Sequence, residues 1–321
     1  SKGNITEKEL FTHMNQVSSI SHEEDEDLYK DSGFLIADRN KHLRERISGE
    51  PHFLEDLNKM TAAHGFYPPQ LIIFMSGPKH FKTGLLIKTA VEYAREGYKV
   101  YYADGENGVR SVRNRSKMAI MECELQELFD PAIYEELDKT LECFGSSMGG
   151  ELFIDGYSAY SKCMNDIEGR LDYLKREYKF VPDIIIYDSI DHFIPNDEAD
   201  RRRDPRIQIQ KVYHQAIAVN KKRGTFAFAP SQVNRAAVEK KSFNMKDISE
   251  DFGKVMNAHA VFAICSTEEE MEQGIRRIIP VVQREGVRPG QNAMCMIQID
   301  ESRMIINEVD KDKLLEDVED D

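Results

Sequence analysis

The stretch Ser76-Gly77-Pro78-Lys79-His80-Phe81-Lys82-Thr83 sets the tightest limit on what this chain can fold into. It follows a short apolar run, 70–75, and leads into apolar residues at helical spacing over 85–95. A strand that enters a helix through a loop ending in Lys-Thr is the setting of a phosphate-binding loop. Backbone N–H groups of the loop and the helix N-terminus point at phosphates, the lysine adds a point charge, and the hydroxyl holds a magnesium ion. Ser76 through Gly84 (Ser76, Gly77, Pro78, Lys79, His80, Phe81, Lys82, Thr83 and Gly84) are therefore the candidate nucleotide-binding residues, with Thr83 a candidate metal ligand. The usual pattern has glycine at its first and sixth positions, where this chain has Ser76 and Phe81. Phe81 is the larger departure, because a side chain there would narrow the approach of backbone to phosphate. The competing reading is a lysine-rich turn that holds no ligand.

Two further acids fall where such a site needs them. The β-branched run 183–187 reads as a strand buried on both faces and ends at Asp188. An aspartate there would orient the metal's shell, usually through water. The run 99–103 ends in Asp104-Gly105-Glu106, and Glu106 at the tip of the strand next to the phosphate loop could polarise an attacking water. Each acid alone is an ordinary strand end or turn residue. Together with the loop they lie at the C-terminal ends of predicted parallel strands, where open α/β sheets bind ligands.

The rest of the chain alternates in the same way. Helical spacing covers 110–128, 166–178 and 207–222, and strands are expected at 151–154, 225–229, 258–265, 277–283, 294–300 and 304–309. Segment 134–144 mixes both signals. Strands alternating with helices imply an α/β protein with a twisted, mostly parallel sheet covered by helices on both faces. Residues 1–48 read as a charged arm or linker helix, 49–308 as the domain, and 309–321 as a disordered acidic tail. The net charge of −14 sits mostly at the ends: residues 1–27 and 309–321 each hold seven acids and two lysines. The body can still present a local basic surface. No run approaches the roughly 18 apolar residues of a membrane helix, so no membrane partner is expected. Five scattered cysteines suit a reducing compartment, hence the cytoplasm.

The order of these motifs resembles the RecA-like P-loop ATPase domain of DnaB-type replicative helicases, over about residues 49–309, in a phage-like form. The most specific match is Ser231-Gln232-Val233-Asn234-Arg235, similar to the family's Ser-Gln-Leu-Asn-Arg segment, and Val282-Gln283-Arg284-Glu285-Gly286 lies where the family has Lys-Gln-Arg-Asn-Gly. The resemblance implies ATP and Mg²⁺ as cofactors and a DNA-stimulated ATP hydrolase. It implies Glu106 as catalytic glutamate, Lys82 on the phosphates, Asp188 at the metal, Gln232 as a γ-phosphate sensor and Arg284 as a finger reaching a neighbour's ATP. It further implies a self-assembled ring, a hexamer, around single-stranded DNA, with a primase or helicase loader as partner and, for a phage protein, the bacterial host cytoplasm. Arg235, Lys240, Lys241 and Lys246 in the loop after Gln232 are the candidate DNA contacts, since cations there would track phosphates without reading sequence. Arg201-Arg202-Arg203 is denser but flanked by acids, and Arg110, Arg113, Arg115 and Lys117 read as interface or solvated-face residues.

The departures keep two alternatives open. Phe before Lys in the loop also resembles phage RecA-type recombinases, which form filaments. The altered loop and Val282 in place of a lysine also suit a RecA-like module that binds nucleotide, turns over poorly and acts through protein partners.

Overall fold

The computed structural model describes residues 49–143, 149–232, 257–285 and 293–309. The arm 1–48, the acidic tail beyond 309, and Arg235, Lys240, Lys241 and Lys246 lie outside the described residues. The elements run in the order α1 (Glu55–Lys59), β1 (Leu71–Ser76), α2 (Lys82–Arg95), β2 (Lys99–Asp104), α3 (Val109–Met121), α4 (Pro131–Cys143) and β3 (Glu151–Gly156). They continue with α5 (Met164–Tyr178), β4 (Ile184–Asp188), α6 (Pro205–Arg223), β5 (Phe226–Gln232), β6 (Ala260–Cys265), α7 (Glu268–Glu272), β7 (Ile275–Gln283), β8 (Cys295–Asp300) and β9 (Ile305–Glu308). Among the described residues no helix is long and apolar enough to cross a membrane.

The strands form one sheet in the order β3-β2-β4-β5-β1-β6-β7-β8-β9. Pairing is parallel from β3 to β6 and antiparallel from β6 to β9. Successive side chains on a strand point to opposite faces, and both faces are apolar. Ile72, Phe74, Tyr102, Ile186 and Phe228 pack with α2 and α3 on one face. Ile73, Met75, Tyr101, Ile185 and Tyr187 pack with α5 and α6 on the other. This two-sided burial is why β4 is continuously apolar rather than alternating.

Several boundaries differ from the sequence-based expectations, each for a local reason. Helix α2 begins at Lys82, three residues ahead of the apolar spacing, because its polar first turn faces the loop rather than the core. The segment 110–128 is not one helix: α3 stops at Met121, where Glu122 turns left-handed at φ 51°, and a short 3-10 turn follows at Glu127–Phe129. Segment 134–144 resolves as α4, which opens on Pro131 and buries only Leu137, so its apolar signal is weak. Helices α1 and α7 are too short to show periodicity, although Thr267 and Glu270 form a capping box at α7. The expectation that Glu106 follows the strand next to the phosphate loop needs correction: β4 and β5 lie between β1 and β2.

Candidate active site

The parallel register assembles the site. Ser76 at the end of β1 lies opposite Gln232 at the end of β5. Asp104 at the end of β2 lies opposite Asp188 at the end of β4. Lys82 and Thr83 enter from the first turn of α2, so residues far apart in sequence meet at one edge of the sheet. Lys82, Thr83 and Gln232 line a cleft of 1590 Å³, larger than the roughly 300–1,000 Å³ of a typical ligand pocket, while Ser76, Asp104 and Asp188 are buried at the strand ends.

The loop reaches its shape without the usual glycines. Lys79 and Phe81 are both left-handed, at φ 64° and 62°. A non-glycine residue there costs on the order of 1–2 kcal/mol. Alternating backbone signs of this kind turn successive N–H groups inward into an anion-binding nest. The Phe81 ring packs against the core between sheet and helices. Its far edge lies over Gly84, where an added Cβ would stand 2.3 Å from ring atoms. The chain thus carries a glycine three residues after the usual position and uses it to seat the ring against the helix. The cost of Phe81 is therefore largely one of backbone conformation, offset by apolar packing.

Lys82 is half-buried, and its ammonium donates to Ser76 O at 3.3 Å, Ser76 Oγ at 3.1 Å and Gly77 O at 2.8 Å. Burial lowers its pKa from 10.5 to about 8, against the opposing pull of Glu106 and Asp188. Asp188 has no exposed surface. Burial raises its pKa from 3.8 to about 6; the Tyr102 hydroxyl and, more weakly, that of Thr83 pull it down, while Glu106 and Asp104 push it up. Its Oδ2 accepts from Tyr102 Oη at 2.7 Å and Asn107 Nδ2 at 3.2 Å. Among the described residues its Oδ1 has no hydrogen-bond partner.

Glu106 is exposed on a turn whose backbone is held by Asp104. The Asp104 carboxylate accepts from the N–H groups of Glu106, Asn107 and Gly108 at 3.3, 3.0 and 2.6 Å. Gly105 N–H donates to Asp188 O at 2.7 Å, and a Cβ at Gly105 would stand 3.3 Å from His192 Cβ. The turn therefore sits on β4 with little room to shift.

A divalent cation fits these residues. Among the described residues no group of three or more His, Cys, Asp or Glu side chains could chelate one. The buried Asp188 carboxyl, which the Thr83 hydroxyl reaches and whose Oδ1 has no hydrogen-bond partner among the described residues, is instead what a metal held by phosphates and water would need.

Other expected residues separate clearly. Gln232 lies at the cleft, exposed, and the buried Ser231 Oγ before it has no hydrogen-bond partner among the described residues. Arg284 is not brought to the cleft: antiparallel β7 carries it to the other end of β6, where its N–H donates to His259 O at 3.0 Å. Each arginine of the 201–203 cluster is engaged locally, Arg201 on Pro195 O and Asn196 O, Arg202 on Glu198 and Arg203 on Asp200. Arg110 and Arg115, set aside in the sequence as interface or solvated residues, line the cleft, whereas Lys117 lies over the Tyr134 ring. The sequence reading also missed Tyr102, Asn107 and His192; of these only Asn107 had a legible signal, as part of an Asp-x-x-Asn turn.

A phosphate loop after β1, acids at the ends of β2 and β4, and a sheet covered on both faces define a RecA-like P-loop ATPase fold. The chain is similar to a solved structure described as an ATPase domain, with a TM-score of 0.69 and 14% identity over 86% of this chain and 96% of that one. It is also similar to a structure described as a DnaB-like replicative helicase and its interactions with primase, with a TM-score of 0.68 and 14% identity over 94% of this chain and 77% of that one. At this identity the likeness is one of fold: the chain shares the RecA-like fold of these two structures. No family model matches the sequence, and no curated protein matches it.

Proposed function

We propose that the chain is the ATP-hydrolysing motor of a DnaB-type helicase, working on single-stranded DNA as a ring-shaped oligomer in replication. The observation that carries this reading is that Lys82, Thr83 and Glu106 line one cleft at the C-terminal ends of parallel strands, with the buried Asp188 interacting with all three. Loop N–H groups and Lys82 bind the phosphates, Lys82 exchanging its contacts on Ser76 and Gly77 for phosphate oxygens. Thr83 and Asp188 would hold Mg²⁺, which would supply charge neutralisation at the phosphates. Glu106 orients and deprotonates the attacking water, and Gln232 reports the γ-phosphate to the loop that follows it. This is catalysis by positioning and electrostatic stabilisation. Arg235, Lys240, Lys241 and Lys246 contact DNA, Arg284 serves a neighbour's site, and a cytoplasmic primase or loader is the partner class that the primase-bound neighbour supports.

The test is ATP turnover with and without single-stranded DNA across protein concentrations. DNA stimulation that rises with concentration, and loss of turnover in Lys82→Ala, are expected; normal turnover in that variant would overturn the site. A second reading, a module that binds nucleotide but turns over poorly, is favoured by one observation: Ser76 supplies Lys82 with a side-chain acceptor that glycine would lack. Tight ATP binding without hydrolysis under any condition would select it.

A further inference from the structure

The Glu106 turn and the Asp188 carboxylate are joined by a hydrogen-bond network that neither the phosphate loop nor the strand ends require. Its centre is Asp188 Oδ2, which receives Tyr102 Oη at 2.7 Å and Asn107 Nδ2 at 3.2 Å. The same Asn107 amide reaches Asp104 Oδ1 at 3.3 Å. Asp104 in turn accepts from the N–H groups of the Glu106 turn. Tyr102 stands on β2, one strand over from β4, with its side chain fully buried.

With both donors on Oδ2, the carboxylate cannot rotate freely about its Cβ–Cγ bond. The other oxygen, Oδ1, is therefore held in one direction. A buried carboxylate oxygen left without a partner is costly unless a ligand completes it. Partners of this kind behind a metal-binding carboxylate orient it and tune its affinity.

We infer that Tyr102 and Asn107 are positioning residues for the metal. They hold Asp188 so that Oδ1 faces a divalent cation bound with the nucleotide, and they tie that carboxylate to the turn carrying Glu106. The inference rests on the proposed nucleotide site and adds two residues to it. Tyr102 lies inside an apolar strand and does not stand out in the sequence, whereas Asn107 shows there only as the end of an Asp-x-x-Asn turn.

The test uses the full chain, ADP and Mn²⁺ as a paramagnetic probe, with the metal followed by electron paramagnetic resonance. Tyr102→Phe removes one hydroxyl, and Asn107→Ala removes one amide from a half-exposed turn, so at least the second keeps the fold. Each is expected to weaken Mn²⁺ binding to the ADP-loaded protein by roughly 10–100-fold, the usual range for such partners, while metal-free ADP binding stays at the wild-type level. Tyr101→Phe is the control: its hydroxyl bonds Asp155 and Tyr157 on the opposite face of the sheet, and it leaves Mn²⁺ affinity unchanged. Wild-type Mn²⁺ affinity in both Tyr102→Phe and Asn107→Ala overturns the inference. Loss in one alone supports that residue and removes the other. Lys82→Ala separates the two levels: if it binds ADP normally, the nucleotide site itself is wrong. If it loses ADP while the two variants keep Mn²⁺, only the inference fails.

Discussion

Asp188 holds a carboxylate with no exposed surface beside Asp104 and Glu106, and its raised pKa makes that charge a cost to the ligand-free fold. Because the folded pKa of about 6 lies above the ordinary 3.8, the cost is fully present above pH 6 and shrinks as pH falls toward 4. The shift corresponds to about 3 kcal/mol as an upper bound. Asp188→Asn is neutral at every pH and can still accept from Tyr102. In denaturant melts at pH 8 without nucleotide it should gain about 1–3 kcal/mol, with about half of the gain left at pH 5 and little by pH 4, while ATP turnover is lost. A gain independent of pH would place its origin elsewhere. Lys82 makes the complementary case. Its pKa of about 8 in the free protein must rise when phosphates replace neutral acceptors. Nucleotide binding above pH 8 should therefore take up protons, visible as a dependence of calorimetric heat on the buffer's ionisation enthalpy. Equal heats in all buffers would show that Lys82 does not meet the phosphates.

At the scale of elements, the junction of loop and α2 depends on the Phe81–Gly84 pair. With Phe81 present, alanine at 84 collides with the ring and should destabilise. With glycine at 81 the collision is gone, and Gly84→Ala should stabilise by roughly 0.5–1 kcal/mol through helix propensity. A double-mutant cycle read by denaturant melts checks this reversal of sign; the same sign in both backgrounds would rule out the packing account. The lead-in segment makes another such junction. His52 bonds Thr89 of α2 at 2.9 Å and brackets Asn58, amid Phe53, Phe66, Phe74, Tyr93 and Phe228. Burial lowers its pKa from 6.5 to about 3. Its contribution is thus fully present above pH 6.5 and lost as pH falls, by roughly 2 kcal/mol at pH 5. His52→Gln should flatten the pH 5–8 stability profile relative to wild type, and an unchanged slope would refute this.

These junctions also mark how far the sequence could be read. Strand ends at Ser76, Asp104 and Asp188 were legible because apolar runs buried on two faces stop abruptly at polar residues, whereas β5 runs on to Gln232, past the expected end at 229. The strand–loop–helix junction was legible through Lys82-Thr83 despite Phe81. The links between Tyr102, Asn107 and Asp188 were not, because they depend on β2 lying beside β4, and strand order leaves no local trace. The seat for Phe81 on Gly84 is only three residues away, yet it emerges only once a left-handed backbone directs the ring toward the helix. Helices α1 and α7, at five residues each, are shorter than any hydrophobic period can report.

At the scale of the molecule, the decisive fact is that Arg284 and the cleft occupy opposite ends of the sheet. A chain acting alone cannot bring that arginine to its own phosphates. If turnover needs both, they come from different copies meeting head to tail, a heterologous contact that closes into a ring or runs on as a filament. Arg284→Ala should then lose turnover while still binding nucleotide, and Lys82→Ala should lose both. Mixed in equal amounts, the two inactive variants should recover activity, because an intact cleft on the Arg284→Ala chain can face an intact arginine on the Lys82→Ala chain. Random mixing across heterologous contacts puts the recovery at roughly a quarter of the wild-type rate. The measurement is steady-state ATP hydrolysis of the mixture, with co-assembly checked by mass photometry. Mixed assemblies without recovery would remove Arg284 from the reaction, and full turnover by Arg284→Ala alone would mean that the cleft needs no neighbour.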